Sequence, residues 1–379
     1  MQTDIIFSKT RFHLRRYPLQ KNEQHQAWDA ADEYLISELD QLTLNKNSHV
    51  LIFNDHFGAL ACYAAHKGFR VTCVNDSWLS QQSIKQNAKQ NLTDEQQNSI
   101  CYLSSLDTLP DSVDIALMQL PKSNRFLVWQ LSQLAALATK ELTLIAGAKV
   151  REIHSSTLDL FAKHLGSTKT SLARKKARLI FCTKQKQAEQ LPKATTEFSV
   201  PEYQLTLANH ANVFSSEKLD IAAFLMLAHI PKSEHYRHII DLGCGNGVLA
   251  IQAARKNPQA KITLVDESHM AVASAKMNLI NAGIEEARIN AVVNNCLDGF
   301  APASADLVLC NPPFHQQHTV TDHIAWQMFC DAKHVLVPKG HLLVIGNRHL
   351  GYHCKIQRLF GNEKCIASNA KFILIKAIK

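Results

Sequence analysis

The stretch Ile239-Ile-Asp-Leu-Gly-Cys-Gly-Asn-Gly-Val-Leu-Ala250 decides the fold of this 379-residue chain. An apolar run carries a carboxylate near its end, glycines follow at every second position, and an apolar segment resumes at once. That pattern predicts a buried strand, a tight turn and a helix, with glycines letting the backbone turn sharply and approach a ligand closely. Outward from it, short apolar runs alternate with amphipathic stretches. His238–Asp241, Lys261–Val265, Ile289–Val293, Asp306–Cys310 and His341–Gly346 read as strands. Val248–Lys256, His269–Ala282 and His323–Val337 read as helices. Such alternation is the mark of a mostly parallel sheet with crossover helices. Cys365–Ala367 and Phe372–Ala377 lie too close for a crossover helix, so they are expected to close the sheet as an antiparallel hairpin.

The first half repeats this order. Val50-Leu-Ile-Phe-Asn-Asp-His-Phe-Gly-Ala-Leu-Ala61 lies over Ile239–Ala250, Val74–Ser77 over Val265–Ser268, and Asp114–Lys122 over Asp306–Phe314. The offsets are 189, 191 and 192 residues, and three matches in order imply an internal duplication. Two tandem Rossmann-like α/β domains follow, each a seven-stranded, mostly parallel sheet with an antiparallel closing hairpin. The expected boundaries are 1–185 and 202–379, with the polar, proline-containing segment 186–201 as linker.

Composition narrows the class. Hydrophobic residues make up 46%, enough for packed cores. The longest apolar stretch, Ile221–Ile230, is shorter than the roughly 20 residues that span a bilayer, and the N-terminus lacks a signal-like apolar region. A soluble, cytoplasmic monomer is expected. Ten cysteines without close pairing spacing read as reduced thiols. The net charge is +8. Lys9–Lys21 and Lys169–Lys186 are basic runs without an acid, and Arg174, Lys175, Lys176 and Arg178 in the second are candidate phosphate contacts.

Two constellations carry chemistry. Asp266 stands at the end of the second strand, where a carboxylate can hold both hydroxyls of a ribose. Asp241 sits just before the glycines, where it would repel a pyrophosphate but attract a cation. In these residues the second half resembles class I S-adenosylmethionine-dependent methyltransferases. By that resemblance Asp241, Gly243, Gly245, Gly247 and Asp266 bind S-adenosylmethionine, and Asn295 touches the adenine, with Asn294 an equal choice. Phe214-Ser215 resembles a segment that closes over the cofactor in related amino-methylating enzymes. It can equally be a staple and N-cap for a helix over Glu217–Ile230.

Asn311-Pro312-Pro313-Phe314 ends the fourth strand, at the sheet edge where this architecture places its chemistry. A conjugated exocyclic amine is a poor nucleophile. The Asn311 side-chain oxygen and the Pro312 carbonyl can each accept one of its N–H bonds and aim the lone pair at a sulfonium methyl. Pro312 and Pro313 stiffen the turn, and Phe314 can stack on a flipped-out base. No nucleophilic side chain is then required. His315 and His318 lack a third ligand, so no metal is expected.

In the first copy the glycine loop has become Asn54-Asp55-His56-Phe57-Gly58, and the amine turn has become Gln119-Leu120-Pro121-Lys122. This copy is expected to bind no cofactor and to recognise RNA instead. A degenerate copy followed by an active one resembles the ribosomal RNA guanine-N2 methyltransferases. Leu205–Ser215, Cys310–Phe329, Asn347–Tyr352 and Ser368–Ala377 resemble the large-subunit, RlmG type rather than its small-subunit sister group, the RsmC type. The resemblance implies methylation of a guanine N2 in large-subunit ribosomal RNA, as deproteinised RNA or an early assembly intermediate. Small-subunit RNA, a protein glutamine amide, DNA and a non-catalytic assembly role remain alternatives at this point.

Overall fold

The computed structural model describes residues 2–19, 23–139, 141–187, 193–313 and 320–379. The chain divides into two compact units, Met1–Ala194 and Thr195–Lys379.

The second unit is built on seven strands in the order Ile289–Val293, Lys261–Asp266, His238–Leu242, Ala305–Cys310, Leu336–Asn347, Phe372–Ile378, Lys364–Ser368. The first five run parallel, and the closing pair is antiparallel. Within the closing hairpin the last strand lies inside and Lys364–Ser368 takes the edge. The central strands are apolar on both faces because a core covers each face. Ile239, Leu264, Leu309 and Ile345 pack on one side, and Ile240, Val265, Val308 and Val344 on the other. His238–Leu242 neighbours both Lys261–Asp266 and Ala305–Cys310. Chain direction across the sheet reverses there, and the crevice beyond the strand carboxyl ends is where such sheets bind ligands.

The first unit repeats the order with Ile100–Ser104, Arg70–Asn75, His49–Phe53, Ile115–Gln119, Thr143–Lys149, Ala177–Lys184 and Gly166–Thr170. The duplication reaches single side chains. Gly247 and Gly58 both stand in the left-handed region ahead of a helix, at φ of 80° and 92°. A Cβ on Gly247 would lie 2.9 Å from the Cα of Ala275, and one on Gly58 would lie 3.1 Å from that of Ile84. Ser268 and Ser77 both cap the next helix. Asn278 Oδ1 and Nδ2 bind the N–H and carbonyl of Ala208, and Asn87 does the same for Arg15.

That last pair anchors an element the sequence reading lacked. Thr195–Val200 pairs antiparallel with Leu205–His210, so the end of the segment 186–201, read as linker, is a strand. Its exposed polar positions hide the alternation, and its docking depends on Asn278, which is distant in sequence. The helix expected over Glu217–Ile230 is Ile221–Ala228, and its N-cap is Asp220, not Ser215.

Candidate active site

Asp241 ends up almost wholly buried, at 1% exposure. Its Oδ2 accepts from the N–H of Ala250 at 3.1 Å, in the first turn of the following helix. Its Oδ1 is buried and meets no hydrogen-bond partner among the described residues. Burial pushes this carboxyl up to about 8, and Asp266 adds to the rise against the opposing Ala250 N–H. A buried acceptor left open beside a helix start is what a cationic ligand group would satisfy.

Gly243, Gly245 and Gly247 all have positive φ. The N–H groups of Gly243 and Cys244 donate to the carbonyl of Val265, which folds the loop onto the second strand. Asp266 Oδ2 accepts from Gly245 N–H at 3.1 Å, and its Oδ1 from Ser268 N–H at 3.1 Å. The loop and the ribose acid predicted from sequence therefore meet. Among the described residues a Cβ on Gly245 would meet nothing within 4 Å, so there the loop opens on free space. Beyond the third strand, Asn294 uses its amide on the carbonyls of Cys296 and Asp298, closing its own loop. Asn295 is buried nearby, at 7% exposure.

Asn311 lies across the crevice from the glycine loop. A Cβ on Gly243 would approach its carbonyl oxygen to 3.7 Å and the Met328 methyl to 3.3 Å. The Asn311 Nδ2 donates to Asp220 Oδ2 at 3.3 Å, and its Oδ1 is buried without a partner among the described residues. Pro312 is buried and Pro313 exposed. Phe314, His315 and His318 lie outside the described residues. Phe214 is 59% exposed, and Ser215 adopts a positive φ of 52° in the turn before Asp220. Asp220 is the residue the sequence reading missed. It looks like an ordinary helix cap, and its contact with Asn311 spans 91 residues. Among the described residues no group of three His, Cys, Asp or Glu is placed to hold a metal.

In the first unit the same crevice is filled from within. Asn54, at the place of Gly243, keeps the left-handed turn at φ of 61° and donates to the Gln119 carbonyl at 2.9 Å. Ile52 stands where Asp241 would be, and the helix start is held instead by Asp55, whose oxygens accept from Gly58 and Ala61 at 2.8 Å each. Asn75 replaces Asp266, is 2% exposed and donates to the Asp55 carbonyl.

The basic run Lys169–Lys186 is less uniform in space than in sequence. Arg174, Lys175 and Lys176 are exposed on a turn. Glu33 pairs with Lys175, and Arg174 reaches Ser37 and lies over the Tyr34 ring. Arg178 is half-buried in a strand, and the Lys184 ammonium is turned inward onto the carbonyls of Leu137 and Thr139. A run free of acid in sequence therefore acquires one by folding, and of the four candidate contacts only Arg174, Lys175 and Lys176 are exposed.

A cationic cofactor bearing a ribose fits this crevice: it offers a charge for the open oxygen of Asp241, a diol for Asp266 and a space above Gly245. Fold and crevice together define an S-adenosylmethionine-dependent methyltransferase. Residues 204–376 match the model for the methyltransferase small domain, and residues 2–186 that for the RLMG N-terminal domain. A Vibrio vulnificus protein called ribosomal RNA large subunit methyltransferase G is 50% identical over the whole of both chains. Its namesake in Photobacterium profundum is 53% identical, covering 97% of this chain and 96% of its own. The chain belongs to this ribosomal RNA large subunit methyltransferase G family. A solved T. thermophilus 16S rRNA N2 methyltransferase, RsmC, in complex with AdoMet and guanosine, shares the fold at a TM-score of 0.78 and 17% identity, covering 100% of this chain and 97% of that one.

Proposed function

We propose that the second unit transfers a methyl group from S-adenosylmethionine to the exocyclic N2 of a guanine in large-subunit ribosomal RNA. The observation that carries this reading is the Oδ1 of Asn311, buried and without a hydrogen-bond partner among the described residues, just beyond the end of the strand Ala305–Cys310 at the switch point. S-adenosylmethionine, when bound, supplies an electrophilic methyl group on a sulfonium.

The chain's own residues do the rest. Asp241 pairs with the cationic amino-acid end of the cofactor, Gly243, Gly245 and Gly247 let the backbone close around it, and Asp266 takes the ribose hydroxyls. Asn295 meets the adenine. Asn311 Oδ1 and the Pro312 carbonyl accept the two amine N–H bonds, which turns the nitrogen lone pair outward. Pro313 stiffens the turn, and Phe314 stacks on the extruded base. The rate gain is then one of positioning and of hydrogen bonds set before the reaction, without a general base. The amine's proton leaves once the nitrogen carries positive charge. The first unit, with its crevice filled, holds the RNA through phosphate contacts, Arg174 and Lys176 foremost, and the enzyme works as a cytoplasmic monomer on RNA not yet covered by ribosomal proteins.

Tritium transfer from labelled cofactor tests this directly. Label should enter deproteinised large-subunit RNA, much less the assembled subunit, and be recovered as N2-methylguanosine. Label found only in small-subunit RNA, DNA or a protein glutamine would overturn the substrate assignment. Asn311→Ala should remove turnover while RNA affinity stays within about twofold.

A further inference from the structure

We propose that Asp220 is the positioning residue that aims Asn311 at the substrate amine. The inference rests on reading Asn311 as the amine acceptor. A carboxamide has two ends of nearly the same shape, one a donor and one an acceptor. Only the acceptor end can take an N–H from a substrate amine. Left to itself, the amide of Asn311 could present either end.

Asp220 removes that choice. A carboxylate oxygen accepts hydrogen bonds, so it selects the Nδ2 end of Asn311, 3.3 Å away. The Oδ1 end is thereby turned to where no partner meets it among the described residues. Asp220 is itself fixed. Its Oδ2 also accepts from the N–H of Ala223 at 3.1 Å and caps the helix Ile221–Ala228. One oxygen thus ties the catalytic turn to the start of a helix packed against the same sheet. Donation to a carboxylate also polarises the amide and makes its oxygen a stronger acceptor.

The first unit supplies a comparison. There Gln119 occupies the place of Asn311, and its Nε2 donates to Asp32, in the first turn of the helix Ala30–Leu39. An acid from the helix ahead of the first strand therefore holds the amide at the end of the fourth strand in both copies. The two part at the other neighbour. In the first unit the side chain of Asn54 lies beside this turn and donates to the main-chain carbonyl of Gln119. In the second unit Gly243 stands at the place of Asn54 and brings no side chain to the Asn311 carbonyl. The acid–amide clamp is thus common to both copies, and in the second it leaves the Asn311 Oδ1 without a partner among the described residues.

Three full-length variants test this. Asp220→Ser keeps the helix cap, since serine caps about as well as aspartate, but is too short to reach Asn311. We expect kcat on large-subunit RNA to fall about 30-fold or more, with KM for RNA and the calorimetric Kd for S-adenosylmethionine within about twofold and Tm within about 2 °C. Asp220→Asn keeps cap and reach but can pair with either end of the Asn311 amide. Its kcat is expected to lie between those of Asp220→Ser and the wild type. If Asp220→Ser keeps full kcat while Asn311→Ala is inactive, the positioning role is wrong and the amine-acceptor reading stands. If Asn311→Ala itself turns over normally, that reading fails and the inference with it. Cofactor affinity and Tm falling in step with kcat in Asp220→Ser would assign Asp220 to holding the helix, and would also overturn the proposal.

Discussion

Asp241 is a carboxyl that folding drives toward its neutral form. Its ordinary value is 3.8, and burial lifts it to about 8. At pH 7 the unliganded group is therefore mostly protonated, whereas a bound ammonium favours the carboxylate. Cofactor binding at neutral pH should release up to about one proton per chain, and affinity should climb up to about tenfold per pH unit before levelling near pH 8. Calorimetry in buffers of different ionisation enthalpy reads the proton directly; its absence, or its persistence in Asp241→Asn, would reject the pairing of Asp241 with the cofactor's cationic end. The same shift acts on stability without cofactor. A carboxyl raised on folding contributes stability that is fully present below its unfolded value and lost as pH rises through its folded one. Tm of the unliganded protein should thus decline between pH 4 and 8, and Asp241→Asn should flatten that decline. Asp241, the glycines and Asp266 were legible in the sequence because strand ends and turn residues lie together along the chain. Asp220 was not, because only the folded sheet brings it to Asn311.

Among the elements, the strand-to-helix turn shows why one copy stayed a binding site and the other closed. Gly247 is demanded by packing, since a Cβ there would press on Ala275 at 2.9 Å with φ at 80°. Gly247→Ala should cost about 2 kcal/mol or more in urea unfolding, from left-handed strain together with a displaced helix. At Gly243 a Cβ would press only on the Met328 methyl, at 3.3 Å, the movable end of a flexible side chain. Asparagine tolerates the left-handed region, as Asn54 does in the first unit. Gly243→Asn should therefore fold with Tm within a few degrees, yet lose cofactor affinity about 100-fold or more, because its side chain would occupy the gap beside Asn311. A variant that bound cofactor normally would show that gap to be unused. The central strands could be read from sequence because they are apolar on both faces. Tyr352–Phe360 could not, since it buries only Tyr352 and Ile356, and Gly166–Thr170 is a mostly exposed edge strand whose pairing fixes it more than its composition does.

For the whole molecule, duplication followed by divergence predicts one cofactor per chain. Asn54, Asp55 and Asn75 close the first crevice with bonds of their own, so titration should give a stoichiometry of one, and two sites would refute the closure. The proposed role of the first unit, holding RNA, is tested through RNA affinity. Sequence pointed to four residues there, and folding leaves them unequal. Arg178 is half-buried, Lys175 faces Glu33, and Arg174 and Lys176 stand outward on the turn. Each phosphate neutralised releases a counterion, so contacts that matter appear in the slope of log affinity against log salt. Reversing Arg174 and Lys176 together should weaken binding to large-subunit RNA and lower that slope by about 1.5 to 2, while Lys175→Ala changes it by less than Lys176→Ala. Turnover at saturating RNA should hold, because the crevice of the second unit is untouched. An unchanged slope would make the turn a solvated face, and a loss of kcat at saturation would mean that the first unit acts on the chemistry as well as on the grip.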